Sequence, residues 1–140
     1  MKADVKIKIC STVEELNEKG LVESSDRTDA THSADLATRD GIVRIEYTEK
    51  TESGDLKTVL TARDERVTLI RHGAIESEFL FEVGLTHKSI YRMPPYAFDT
   101  EVRAVKITND LNKRGTLSLL YYMTLGGAEK RIKMTLSVIE

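Results

Sequence analysis

Hydrophobic and polar residues alternate in step along the middle of the chain, from Arg71 to Phe98 (RHGAIESEFLFEVGLTHKSIYRMPPYAF). Ile75, Phe79, Phe81 and Val83 share one parity, and Glu76, Glu78 and Glu82 take the other. Side chains of a strand point to opposite faces in turn, so this run predicts a strand with an apolar face and an acidic face. A helix would need apolar residues three and four apart, and the glutamates interrupt that stripe. Gly73 and Gly84 bracket the strand, where the chain turns tightly. A second run passes through Ile90 and Tyr91 to Met93, where Pro94 and Pro95 end it, since neither proline can donate to a ladder. The pattern predicts a β-hairpin followed by a proline-enforced corner, with Phe98 opening the next strand.

The same alternation runs through the rest of the chain. Val5, Ile7, Ile9 and Val13 oppose Lys6, Lys8 and Cys10 in a first strand, and EELNEKG makes a polar connection ending at Gly20. A helix over Thr12 to Glu18 competes with that strand. From Glu23 to Arg39 the chain is polar; Thr31 to Arg39 is expected as a strand of modest burial, with a short disordered loop as the competing assignment. Asp40-Gly41 is a two-residue hairpin signal, because both central positions of that turn favour positive φ. Strands follow over Ile42 to Thr48, Leu56 to Ala62 and Arg66 to Arg71, separated by turns at Lys50 to Asp55 and Asp64-Glu65. In Phe98 to Thr108 the apolar parity slips between Ala104 and Val105, as a β-bulge would make it do. Asn109 to Gly115 is a polar turn. Thr116 to Leu125 is almost wholly apolar and is expected to be the most buried strand. Gly126-Gly127 turns the chain into a last strand, Glu129 to Ile139. The expected fold is all-β: a closed, antiparallel up-and-down barrel of about eight to ten strands, because closure removes edges that would otherwise aggregate. A two-sheet β-sandwich gives the same alternation and is the alternative.

Composition narrows the functional classes. The 140 residues suffice for a single β-barrel domain spanning 1–140. Lys and Arg number 21 against 23 Asp and Glu, a net charge of −2, without the basic excess of a domain that neutralises phosphates, so no DNA partner is expected. One cysteine, Cys10, cannot form an intrachain disulfide and fits a reducing, cytoplasmic setting. No apolar run approaches the roughly 20 residues of a membrane helix, and MKADVKIKIC lacks the continuous apolar stretch of a signal peptide.

Arg71-x-Gly73, Phe81-x-x-Gly84 and Tyr91-x-x-Pro94 followed by Phe98 resemble the YwiB-like bacterial family of unknown function. Its members are similar to calycins, small closed lipocalin-like β-barrels. The likeness in length and strand order extends over most of the chain, and the motif occupies its middle fifth. The resemblance implies the barrel fold and a bacterial cytoplasmic protein; it implies no activity. Where the family reads Thr-Pro-Tyr-Gly, this chain has Met93-Pro94-Pro95-Tyr96, so the corner lacks a glycine and must be built differently.

Candidate chemistry is sparse. His32, His72 and His87 lack metal-ligand spacing, and a site assembled through space from His72, His87 and a carboxylate is weighed against ordinary surface histidines. Cys10 lies near Lys6 and Lys8, yet no histidine stands where it would activate the thiol. The alternating glutamates read as a solvated face. No phosphate loop, dinucleotide fingerprint or nucleophile elbow occurs, so no cofactor and no catalytic residue is expected. Arg71 ends an apolar face, where a guanidinium needs a carboxylate, a carbonyl or a ligand. Two functions follow. In the first, the lumen takes a small, largely apolar ligand oriented by Arg71, with Tyr47, Tyr91, Tyr121 and Phe98 lining it. In the second, the lumen is packed and the outer surface binds protein or RNA through Lys113, Arg114, Lys130, Arg131 and Lys133.

Overall fold

Short alternating runs joined by tight turns leave a chain little to build except an antiparallel meander, and the computed structural model, which describes residues 2–139, is one. Its strands are β1 (Lys2–Leu16), β2 (Val22–Arg39), β3 (Ile42–Thr51), β4 (Gly54–Arg63), β5 (Arg66–Gly73), β6 (Ser77–Phe81), β7 (Thr86–Met93), β8 (Tyr96–Asp110), β9 (Thr116–Leu125) and β10 (Ala128–Val138). All ten lie in one sheet in the order β6-β5-β4-β3-β2-β1-β10-β9-β8-β7. That single sheet rules out the sandwich. The first strand pairs with the last, from Ile7 opposite Val138 to Glu15 opposite Lys130. Among the described residues no helix is long and apolar enough to cross a membrane.

The sheet rolls until β6 faces β7, and the barrel is nearly closed there. The hairpin expected across Gly84 is not a ladder, because β6 is only five residues long and the two strands are the two ends of the sheet. They meet in one backbone bridge, in which the Glu76 N–H donates to the Arg92 carbonyl (2.8 Å) and the Arg92 N–H donates back (2.9 Å). Side chains of β7 then meet the backbone of β6. The Ser89 hydroxyl donates to the Glu78 carbonyl at 3.0 Å, and the Leu80 N–H points at His87 Nδ1 at 3.4 Å. The Pro94–Pro95 pair, joined by a cis bond, is the tight turn between β7 and β8.

Inward parity fills the interior. Ile7, Ile45, Leu60, Val67, Phe81, Leu117 and Leu136 are almost completely removed from water. Each such side chain contributes about 1.5–3 kcal/mol relative to its exposed state. Rings from separated strands meet inside, Phe81 of β6 lying 4.5 Å from Tyr121 of β9. The bulge predicted in β8 lies between Ala104 and Lys106: Val102 and Ala104 face the core, Val105 turns out, and Ile107 faces in again. No residue of β9 is exposed.

β2 is longer than its apolar content suggests. It runs from Val22 because β1 pairs with it from Ala37 to Val22, and β1 itself continues as strand to Leu16 in place of a helix. The Asn17 side chain then organises the turn, its Oδ1 accepting from the Lys19 and Leu21 N–H groups (2.8 and 3.0 Å). β3 covers β2 only from Asp35 to Arg39.

Gly73 ends β5 at φ +117°, where an added Cβ would sit well inside contact distance of the Asp55 carbonyl oxygen. Gly54 has the same φ with open space around it. Gly73→Ala is therefore expected to cost at least about 2 kcal/mol in urea unfolding, and Gly54→Ala about 1 kcal/mol. Equal losses would show that the close approach to Asp55 is unimportant.

Candidate functional site

Three rows of side chains stack on the inner face of β3 to β6, because directly paired residues of antiparallel strands point the same way. The lower rows, Val43–Ala62–Val67–Phe81 and Ile45–Leu60–Leu69–Phe79, are apolar and buried. The row above them is Tyr47–Thr58–Arg71–Ser77. Four neighbouring strands thus place a phenol, a hydroxyl, a guanidinium and a second hydroxyl side by side on top of the core. Thr58, Ser77 and Tyr47 are buried and Arg71 is partly buried.

This row is not satisfied internally. Thr58 Oγ1, Arg71 Nε and Ser77 Oγ are shielded from solvent and have no hydrogen-bond partner among the described residues. No carboxylate among the described residues forms an ion pair with Arg71. An unmet buried polar group costs about 1–3 kcal/mol, and more when it carries charge, so three adjacent ones are an unusual arrangement.

Arg71 acts on two tyrosines at once. Burial pushes the Tyr121 hydroxyl up to about 12, and the Arg71 charge opposes that rise. Burial likewise raises Tyr47, again opposed by Arg71, while Glu49 adds to the rise. Thr58 is near enough to Tyr47 to hold the rise back, though their geometry is not that of a hydrogen bond. The structure therefore gathers Arg71, Tyr47 and Tyr121. Tyr91 and Phe98, a cross-strand pair of β7 and β8, continue the row across the seam, because the Glu76–Arg92 bridge sets Tyr91 next to Ser77 in register. Tyr91 packs against the edge of the core, and Phe98 stacks on Tyr96 beside Gly126, with no hydrogen bond or ring contact to Arg71.

The wall opens next to Tyr47. Where the β2–β3 ladder stops at Asp35–Glu46 the strands splay, leaving a cleft of about 570 Å³. Val5, Ala34 and Tyr47 form its apolar part, and Asp4, Lys6, Asp35 and Glu46 its rim. His32 stacks on the Tyr47 ring at 4.6 Å. Glu46 is held by Lys57 and by Arg44 (3.0 Å), which keep its carboxyl below the usual carboxylate range.

The remaining candidates are accounted for structurally. Glu76, expected as a solvated carboxylate, anchors the turn after β5: it accepts from the Gly73 N–H and from His72, and both hold its carboxyl low. No group of three metal-ligating side chains comes together among the described residues. Arg131 donates to Glu14 at 2.7 Å. Arg131 and Lys133 share the outer face of the sheet with Arg103 and Lys106, whereas Lys130 has the opposite parity and Lys113-Arg114 lie at the other end of the β9–β10 hairpin. The five basic residues singled out in the sequence do not form one patch. Thr58 and Ser77 were not singled out, although they alternate with Leu56, Leu60, Phe79 and Phe81, which marks them as inward-facing.

A family model described as a domain of unknown function, DUF1934, matches residues 7–137. The crystal structure of the ywiB protein from Bacillus subtilis superposes with a TM-score of 0.76 at 17% identity, covering 98% of this chain and 94% of that one. At that identity the likeness establishes the fold alone. No curated protein matches the sequence.

A raised tyrosine keeps its proton in the folded state after the unfolded chain has lost its own. Its contribution is present below the ordinary tyrosine value of about 10 and is lost as pH rises toward 12. Between pH 9 and 11 Tyr121 is expected to cost the wild type about 1 kcal/mol of stability, a loss that Tyr121→Phe removes. Parallel stability–pH curves for the two proteins would contradict this.

Proposed function

The chain belongs to the DUF1934 family, and because that membership carries no activity we propose from the geometry that the barrel binds a small, largely apolar molecule bearing one anionic group, which Arg71 holds. The observation that carries this reading is the shielded, unpartnered Arg71 Nε between the unpartnered hydroxyls of Thr58 and Ser77. A guanidinium stays charged at any ordinary pH and offers several donors in one plane, matching a carboxylate or phosphate. No carboxylate among the described residues pairs with it. A ligand oxyanion would meet the Nε donor, and its remaining lone pairs would accept from the two hydroxyls.

The rest of the ligand follows from the surroundings. The polar row stands on Leu60, Leu69 and Phe79, so the ligand's body is apolar. The cleft beside Tyr47 has the volume of an ordinary small-molecule site, and a second, smaller opening at the β6–β7 seam is lined by Arg71 and Ser77 themselves. In this reading the protein works as calycins do, by enclosing a ligand in a barrel, and no catalytic residue is involved. The partly exposed free thiol of Cys10 suits a cytoplasmic protein.

Titration with a dansyl-labelled undecanoate tests the reading, alongside the corresponding neutral alcohol. Wild type is expected to bind the carboxylate, Arg71→Met to bind it at least about tenfold more weakly, and both to bind the alcohol alike. Arg71→Met is also expected to be the more stable protein without ligand, since a shielded donor with no partner has been removed. Failure of both probes to titrate, with only the bare chain in native mass spectrometry of protein taken from cells, would overturn the proposal.

A further inference from the structure

We propose that two copies of this chain pair through the free edge of β2, antiparallel, in the register that sets Thr28 on the two-fold axis. One edge of β2 is laddered to β1 from Ala37 to Val22. The other meets β3 only from Asp35 to Arg39, so from Val22 to Ala34 that side of β2 makes no ladder, and from Val22 to Thr31 every residue is exposed. Folded proteins guard such edges with proline, lysine, bulges or very short strands. β6 is short, and the β7 edge ends in two prolines. The Val22–Ala34 stretch has neither lysine nor proline, and β2 pairs there with β1 in unbroken register except at its first residue. It is a long, regular edge with its hydrogen bonds unmade.

The register follows from the backbone. Asp40 and Gly41 both have positive φ (52° and 79°) in the two-residue turn that joins β2 to β3, so Arg39 and Ile42 form a hydrogen-bonded pair. The odd-numbered residues of β2 therefore turn their N–H and C=O groups toward β3 and, beyond Asp35, toward the free edge. Two copies can pair only with odd residues opposite odd. Centring the pair on Arg27 or Asp29 sets like charge against like, and centring it on Asp26 sets Asp29 against Glu23 of the partner subunit. Centring it on Ala30 leaves Arg27 and Asp29 facing hydroxyl residues. Centring it on Thr28 sets Arg27 against the partner's Asp29, and Asp29 against the partner's Arg27.

The side chains fit that choice. Arg27 and Asp29 already lie on one face, 3.6 Å apart, with 69% and 49% of their side chains exposed, so the two-fold would complete a ring of four alternating charges. On the other face the same register sets Val22, which is 46% exposed, against the partner's Ala34. Backbone pairing over the whole Val22–Ala34 edge supplies the attraction, and the Arg27–Asp29 charges agree with that alignment.

Sedimentation equilibrium and oxidative cross-linking of the full chain test this. Arg27→Asp is expected to shift the equilibrium toward monomer by about tenfold or more, because attraction becomes repulsion at two symmetric positions. The double exchange Arg27→Asp with Asp29→Arg should restore the dimer. With Cys10→Ser, Thr28→Cys should cross-link under mild oxidation, since its non-hydrogen-bonded position brings the two Cβ atoms close, while Ser24→Cys should not. Positions 24, 27, 28 and 29 are exposed and Cys10 is half-buried, so unchanged circular dichroism of each variant verifies folding. Monomer at every concentration, no effect of Arg27→Asp, or equal cross-linking at positions 24 and 28 would each overturn the proposal. None of these outcomes depends on Arg71.

Discussion

The ladder between the first and last strands is the contact on which the molecule depends. β1 is bonded to β2 on one side and to β10 on the other, so it joins the run from β2 to β6 to the run from β7 to β10. The other junction, between β6 and β7, has one backbone bridge and a few side-chain contacts, far too little to hold two curved sheets together. Ile7 lies at the join, opposite both His32 and Val138, and is fully buried. Its position explains how a chain of modest apolar content closes round a core: the covalent ends are brought together by the strands that most need partners.

Against that frame the Tyr47–Thr58–Arg71–Ser77 row runs counter to packing. Stability of a domain this size is the small residue of large opposing terms, about 5–15 kcal/mol, so unmet groups at about 1–3 kcal/mol each are a substantial fraction of it. Leucine or valine at Thr58 and Arg71 would continue the apolar rows beneath. Arg71 instead breaks the apolar pattern at a position where no carboxylate among the described residues meets it.

Much of this was legible in the order of residues. Strict alternation requires strands, the Asp-Gly and Gly-Gly pairs require tight turns, and the parity slip at Val105 locates the bulge to within a residue. Periodicity, however, names faces and not partners. It could not tell that the strands flanking Gly84 are the two rims of the sheet, nor that β2, polar on both faces, is a strand because β1 holds it. The same limit applies to the site. Arg71, Tyr47, Tyr91 and Tyr121 are identifiable as inward-facing, but that Tyr91 and Phe98 extend the row beyond Ser77 depends on the β6–β7 bridge, which alternation does not reveal. Thr58 and Ser77 escaped notice because a hydroxyl at an inward position looks like any strand-forming residue until its missing partner is seen. Glu76 looked solvated because its role comes from Gly73 and His72, which only the turn brings within reach.

One departure underlies both the cleft and the free edge. β2 leaves β3 at Asp35–Glu46, and from that point the two strands can no longer satisfy each other. On the β3 side the departure opens the wall beside Tyr47; on the β2 side it leaves a row of backbone groups facing solvent. A strand added to that edge in the Thr28 register would bring the partner's Glu23 opposite Ser33, at the lip of the cleft. Whatever fills one gap therefore changes the surroundings of the other. Had β3 continued to pair with β2 above Glu46, the barrel wall would be shut beside Tyr47 and that ring would be an ordinary core aromatic, leaving the Arg71–Ser77 end of the row open at the β6–β7 seam.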